Sequence, residues 1–316
     1  VIVEFLIFVV SLSALIWGAD VLVAQSEKIA LKFGISEYVI GATLIAFGTS
    51  LPEMAASVVA SYHFKSELAI SNVIGSNILN ITLVLASVFL LAPKINPHRD
   101  FFAKDSSWAL FPVLFFVIMA MENQFSRFDG FLLIALMGAY ILFLQKNSSE
   151  VLALEDDILE EIEEENFSWL KVSFLLIVGF TLVIVGADYT VSSASNIARA
   201  LGVSEWIIGV IMVSLGTSMP ELIVSIVAAR KGKADMAIGN IIGSNMANIT
   251  IVLGGAAIVR DLKFNMQNYT FDISVMVGAT LMLVFITANK MYSKPAGIAL
   301  FVLLALFLKH TFIAVI

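Results

Sequence analysis

The sequence has no cysteine among its 316 residues and only three histidines, His63, His98 and His310. No disulfide, thiolate nucleophile or cysteine-ligated metal is open to it. The histidines fall near the ends of apolar runs, so a histidine-cluster metal site or a Ser/His/Asp triad has no credible members. Charge is scarce as well: Asp, Glu, Lys and Arg make up 14% of the chain, against roughly 25% in a soluble domain. What fills the chain is apolar, with 59% hydrophobic residues and a mean hydropathy of +0.97. That is the composition of a membrane protein, and nothing in it suggests a nucleic-acid partner.

Apolar stretches of about 20 residues can each cross a hydrocarbon core of roughly 30 Å as helix. Ten are predicted, near 2–26, 37–62, 67–92, 106–121, 128–145, 169–195, 205–229, 234–259, 269–289 and 295–312. The first has no basic leader and is too long for a secretory h-region, so it reads as a retained helix. Nine acids crowd into 150–165, EVLALEDDILEEIEEE, and account for much of the net charge of −7. A like-charge run of this kind reads as a solvated linker, and it lacks the central glycine of an EF-hand.

The chain repeats itself. An ungapped offset of 168 residues matches Gly18-Ala19-Asp20 with Gly186-Ala187-Asp188, and Gly34-Ile35-Ser36-Glu37 with Gly202-Val203-Ser204-Glu205. It matches GTSLPE (48–53) with GTSMPE (216–221), and AISNVIGSNILNIT (69–82) with AIGNIIGSNMANIT (237–250), ten of fourteen positions being identical. A shared lipid solvent makes apolar residues coincide; it does not make Asn, Ser, Gly, Pro and Glu coincide. The gene was duplicated. Five spans per half is an odd number, so the second half is expected to enter the membrane upside down, as in many secondary transporters. The fold class expected is an all-α membrane protein of ten transmembrane helices in two inverted five-helix repeats, 1–146 and 169–316, joined by the acidic linker 147–168. Assigning Lys and Arg to the nearer face puts 12 on one side and six (Lys65, Arg127, Arg199, Arg260, Lys263, Lys309) on the other. The first side is expected to be cytoplasmic, with the linker inside and both termini outside.

Each GTSxPE segment sets a carboxylate in an otherwise uncharged run. On a helix Ala46, Thr49, Ser50 and Glu53 share one stripe, and Pro52, lacking an N–H and crowding the carbonyl of Gly48, should break the helix there. In hydrocarbon a freed carbonyl is tolerated only where it is buried in protein or faces water or an ion. Carboxylate, hydroxyl and carbonyl oxygens together suit a hard cation such as calcium or sodium. Asn72, Ser76 and Asn80, and likewise Asn240, Ser244 and Asn248, form stripes of amides and hydroxyls, with Gly75 and Gly243 beside them to admit a neighbouring helix. A lone kinked segment whose glutamate only pairs would be structural. Two opposed copies meeting at mid-membrane, with no basic residue in either span, point to bound cations. Asp20 and Asp188 are weaker candidates for an ion pathway, and Glu37, Glu205, Glu67 and Asp235 read as interface residues.

These paired motifs, GTSLPE with NVIGSNILN and GTSMPE with NIIGSNMAN, resemble the two alpha repeats of the sodium/calcium exchangers of the cation/calcium antiporter superfamily, in a compact prokaryotic form. The resemblance implies secondary active antiport of sodium against calcium by alternating access, with the first and sixth spans sliding across a rigid ion-binding core. It implies ion ligands at Ala46 (carbonyl), Thr49, Ser50, Glu53, Ser76 and Asn80, and at Ser214 (carbonyl), Thr217, Ser218, Glu221, Ser244 and Asn248. One departure is that family members often carry aspartate where this chain has Asn248. No enzyme activity and no cofactor beyond the transported ions is expected. The competing readings are a calcium/proton exchanger and, from another class, a passive cation channel.

Overall fold

A computed structural model describes residues 2–92, 95–146, 167–202 and 216–313. Among these the secondary structure is helical except for a two-residue antiparallel bridge between β1 (Gln124–Phe125) and β2 (Leu262–Lys263). The chain is an all-α membrane protein. Eight helices are long and apolar enough to cross a membrane, or nine when the bent pair Glu37–Thr49 and Leu51–Tyr62 counts as one. Of the span expected at 205–229, only Met219–Arg230 falls within the described helices; 203–215 and the linker 147–166 lie outside the described residues.

The two longest helices, α1 (Ile2–Phe33) and α7 (Trp169–Ala200), have 32 residues each, about 48 Å at the α-helical rise. Both run past the expected ends at 26 and 195. A hydropathy window stops at the first charges, whereas Lys28, Lys32 and Arg199 sit on the last turns without ending the helix. Gly34, at φ +63°, ends α1, with Gly34 N–H donating to the Leu31 carbonyl and Ile35 N–H to that of Ala30, a glycine-capped helix end. The two helices lie along each other. A Cβ on Gly18 would meet Leu182 Cβ at 2.8 Å, and one on Gly186 would meet Leu15 N at 2.9 Å.

Between these come α2 (Glu37–Thr49), α3 (Leu51–Tyr62), α4 (Ser66–Leu91), α5 (Phe101–Ala120) and α6 (Arg127–Lys146). After α7 follow α8 (Met219–Arg230), α9 (Ala234–Val259), α10 (Met266–Ala288) and α11 (Lys294–Ile313). The bounds of α8 and α9 repeat those of α3 and α4 at the 168-residue offset seen in the sequence. Both α4 and α9 widen into a π-helical stretch, Asn80–Leu85 and Asn248–Leu253. These two helices are mostly buried, while α1, α5, α6, α7 and α11 turn large apolar side chains outward, as a lipid-facing ring does.

Helix α5 starts five residues before the expected 106. Asp100 caps it, accepting from Ala103 N–H at 3.0 Å, and the charged Asp105 is fully buried but not alone. Arg99 donates to both of its oxygens, Nε at 2.6 Å and Nη2 at 3.0 Å, a bidentate geometry that makes a buried charge tolerable. The guanidinium also lies 4.3 Å from the centre of the Tyr38 ring, and Tyr38 shares a 3.0 Å hydrogen bond with Tyr140. Charge therefore enters the apolar run here without ending it.

Candidate functional site

The break expected at Pro52 is present: α2 and α3 meet at 47°. Ser50 leaves helical geometry (φ −85°, ψ 6°), and Ser218 does the same at the equivalent point (φ −86°, ψ 0°). In each copy proline lies in the first turn of the helix that follows, where its missing N–H costs nothing. The glutamate one residue on then points inward, and Glu53 and Glu221 are each 1% exposed.

The two motifs meet across the halves. Ser50 donates to Glu221 Oε1 at 3.1 Å, with Thr49 beside Glu221 and Thr217 beside Glu53. Thr49 further approaches the Ala46 carbonyl at 3.3 Å and Asn240 Oδ1 at 3.5 Å. Around them stand buried polar atoms with no hydrogen-bond partner: Oε2 of both glutamates, both amide atoms of Asn80 and of Asn248, and the hydroxyls of Ser218 and Ser244. Ser76 and Ala46 are buried in the same region. Among the described residues no Lys, Arg or His pairs with either glutamate. Two buried carboxylates ringed by unsatisfied neutral oxygens are a costly arrangement that a hard cation would offset. Of the expected ligands, Ser214 lies outside the described residues, as does Glu205.

Two motif amides reach away from the glutamate side chains. Asn240, whose Oδ1 faces Thr49, donates Nδ2 to Ser225 at 3.0 Å, and Asn72 donates to Ser57 at 2.9 Å and to the Glu53 carbonyl at 3.3 Å. These amides brace the broken helices. Ser57 and Ser225 were not singled out from the sequence, yet the repeated spacing Glu53-x3-Ser57 and Glu221-x3-Ser225 was there to find them.

A cleft of about 940 Å³ reaches the cluster from one side. Its walls include Ser71, Asn72 and Ser76 on α4 and Asp188 on α7, with Thr217 between them and Asp272 on α10. The two glycines flanking the polar stripes behave differently. Gly243 packs directly against the backbone of Ala42 and Gly239 against that of Tyr38, where a Cβ would lie 2.6 Å from the Tyr38 oxygen. Gly75, expected to admit a helix in the same way, instead borders the cleft, with no described atom near its vacant Cβ position. Asp188 opens onto the cleft, whereas Asp20 is held by Lys231 at 2.7 Å. Asp235 accepts from the backbone N–H groups of His98 and Arg99, and Glu37 pairs with Lys233.

With this geometry in view, comparison with known proteins is decisive. The family model described as sodium/calcium exchanger protein matches residues 3–146 and 171–313. The chain belongs to the sodium/calcium exchanger family. It is a family of transporters, not enzymes. The sodium/calcium exchanger MaX1 of Methanosarcina acetivorans is 31% identical, with 97% of each chain covered. An uncharacterized membrane protein of Methanocaldococcus jannaschii is 37% identical, with 92% of each chain covered. The structure of the sodium-calcium exchanger NCX_Mj soaked with 10 mM Na+ and zero Ca2+ superposes with a TM-score of 0.81 at 34% identity, covering 98% of each chain. The same exchanger soaked with zero Na+ and Ca2+ gives 0.82, covering 98% of this chain and 99% of that one.

Proposed function

We propose that this chain is a secondary active antiporter that exchanges sodium for calcium by alternating access. The observation that carries the reading is the meeting of Glu53 and Glu221, each 1% exposed, amid unpartnered amide and hydroxyl oxygens. Two carboxylates neutralise one calcium, and the same oxygens can be shared among sodium ions, so the two compete for one site. Ala46, Thr49, Ser50, Glu53, Ser76, Asn80, Ser214, Thr217, Ser218, Glu221, Ser244 and Asn248 supply the ligands. The ions are cargo; no cofactor takes part.

The architecture in this reading is ten transmembrane helices in two inverted five-helix repeats, with α8 the described part of the span expected at 205–229. The cleft opens toward the face bearing Lys65, Arg199, Lys263 and Lys309, the face poor in basic residues and hence external. The opposite approach is closed where Gly239 and Gly243 pack on the backbone of α2. A site closed to at least one face at a time is what an exchanger needs and what an open channel lacks. The protein sits in the cell membrane with both termini outside and the acidic linker in the cytoplasm.

The test is calcium uptake by proteoliposomes loaded with sodium, set against vesicles given only a pH gradient. Uptake that requires internal sodium and saturates with calcium is expected. Uptake driven equally by the pH gradient would make the protein a calcium/proton exchanger, and uptake without any counter-ion would make it a channel.

A further inference from the structure

The external cleft has two described walls. One wall is α7, through Ala187, Asp188 and Val191; the other is α3 and α4, through Ala56, Ser71 and Gly75. Closing the cleft means bringing α7 toward α4. Because α7 is packed lengthwise on α1 with no room for a side chain at Gly18 or Gly179, α1 must travel with it.

On the closed side α1 is tied down. The tight turn between α8 and α9 carries Lys231 and Lys233 on either side of Gly232, whose φ is +81°. Lys231 Nζ pairs with Asp20 Oδ1 at 2.7 Å and donates to the Asp20 carbonyl at 3.3 Å. Lys233 bridges Glu27 of α1 and Glu37 of α2, the latter at 2.7 Å. Partial burial alone would lower the Lys233 pKa, but its bonds to Glu27 and Glu37 raise it above the ordinary value, so the ammonium stays charged. The repeat supplies the comparison. The turn between α3 and α4, His63-Phe64-Lys65, has the same shape, with Phe64 at φ +61°, and Asp188 holds the position equivalent to Asp20. Among the described residues Asp188 makes no ion pair, and it faces the open cleft. His63 stands where Lys231 does in the other half, so the first half has no lysine at that point and the Lys231–Asp20 tether belongs to the closed side alone.

We propose that Asp20 and Lys231 are positioning residues of the transport cycle, latching the α1–α7 pair to the rest of the protein while the inner side is closed and separating before it opens. This rests on the antiport reading above.

The absence of cysteine makes the test direct. Leu68, half exposed at the cleft, and Met236, fully buried, occupy equivalent positions in the two halves, so Leu68→Cys reports the outer opening and Met236→Cys the inner one. Each is labelled in proteoliposomes with an impermeant thiol reagent from its own face, without sodium or calcium. In Lys231→Ala, Met236→Cys labelling should rise about two- to fivefold, the range a half-exposed ion pair can supply, while Leu68→Cys labelling does not rise. Combining Asp20→Lys with Lys231→Asp should return the parent rate. Unchanged labelling at Met236→Cys, a rise at both reporters together, or no recovery in the swapped pair would overturn the latch. Labelling needs no transport, so a parent that exchanges sodium for calcium yet shows no shift sinks the latch alone, and a parent that does not exchange sinks the antiport reading first.

Discussion

Ser50 donates its hydroxyl to Glu221 at 3.1 Å, across 171 residues of sequence. The bond joins the broken helix of one half to the carboxylate of the other. Its mirror image differs: Ser218 has a buried hydroxyl with no partner. The site is built from a duplicated motif but is not symmetric in this state.

That asymmetry predicts unequal costs for equal substitutions. Ser50→Ala strips a buried carboxylate oxygen of a donor and should destabilise the protein by about 1–3 kcal/mol. Ser218→Ala removes no protein bond and relieves a buried hydroxyl of its unmet desolvation cost, so it should leave stability unchanged or raise it by up to about 1–3 kcal/mol. Thermal unfolding in detergent without sodium or calcium checks both, and equal losses would contradict the arrangement.

Glu53→Gln and Glu221→Gln keep the shape of the side chain and remove one of the two charges that offset a buried divalent ion. Breaking a buried charge pairing costs about 3–5 kcal/mol, so calcium exchange should fall by at least about a hundredfold in each variant. Size-exclusion profiles should remain those of the parent. Near-normal calcium flux in both would remove the glutamates from the site.

The glycines of the two polar stripes should respond unequally. Gly243→Ala drives a methyl group into the backbone of Ala42 and should cost about 1–3 kcal/mol by overpacking. Gly75→Ala meets no described atom and should cost less than Gly243→Ala. Denaturation midpoints compare the two directly.

The orientation is tested by single cysteines at exposed positions. Lys65→Cys and Lys263→Cys should react with an impermeant thiol reagent added to intact cells, and Lys290→Cys should react only after permeabilisation. Labelling of all three from one side would refute the inverted repeat.

Much of this was legible in the sequence for a physical reason. Helices in lipid must satisfy their own backbone, so the apolar runs mark them, and a polar residue kept in both halves of such a run has no solvent to excuse it. GTSLPE and GTSMPE stood out on that ground, and so did Asn80 and Asn248. What escaped was pairing. Asp105 looked like the edge of a span because its partner Arg99 lies in the preceding loop and their bidentate contact leaves no trace in hydropathy. Asn72 looked like a candidate ion-facing amide until its bond to Ser57 showed it turned toward its own neighbour. The unequal surroundings of Gly75 and Gly243 among the described residues could not be read at all, since a repeated motif does not say what each copy packs against.

The π-helical stretches Asn80–Leu85 and Asn248–Leu253 begin on the asparagine of the NIT triplet in each half. A π turn departs from the regular i−4 ladder, so each asparagine stands where its helix is locally widened. A substitution that restored a plain α-helical turn there would turn every side chain beyond it by about 100° about the helix axis, and the two halves share that vulnerability at the same point.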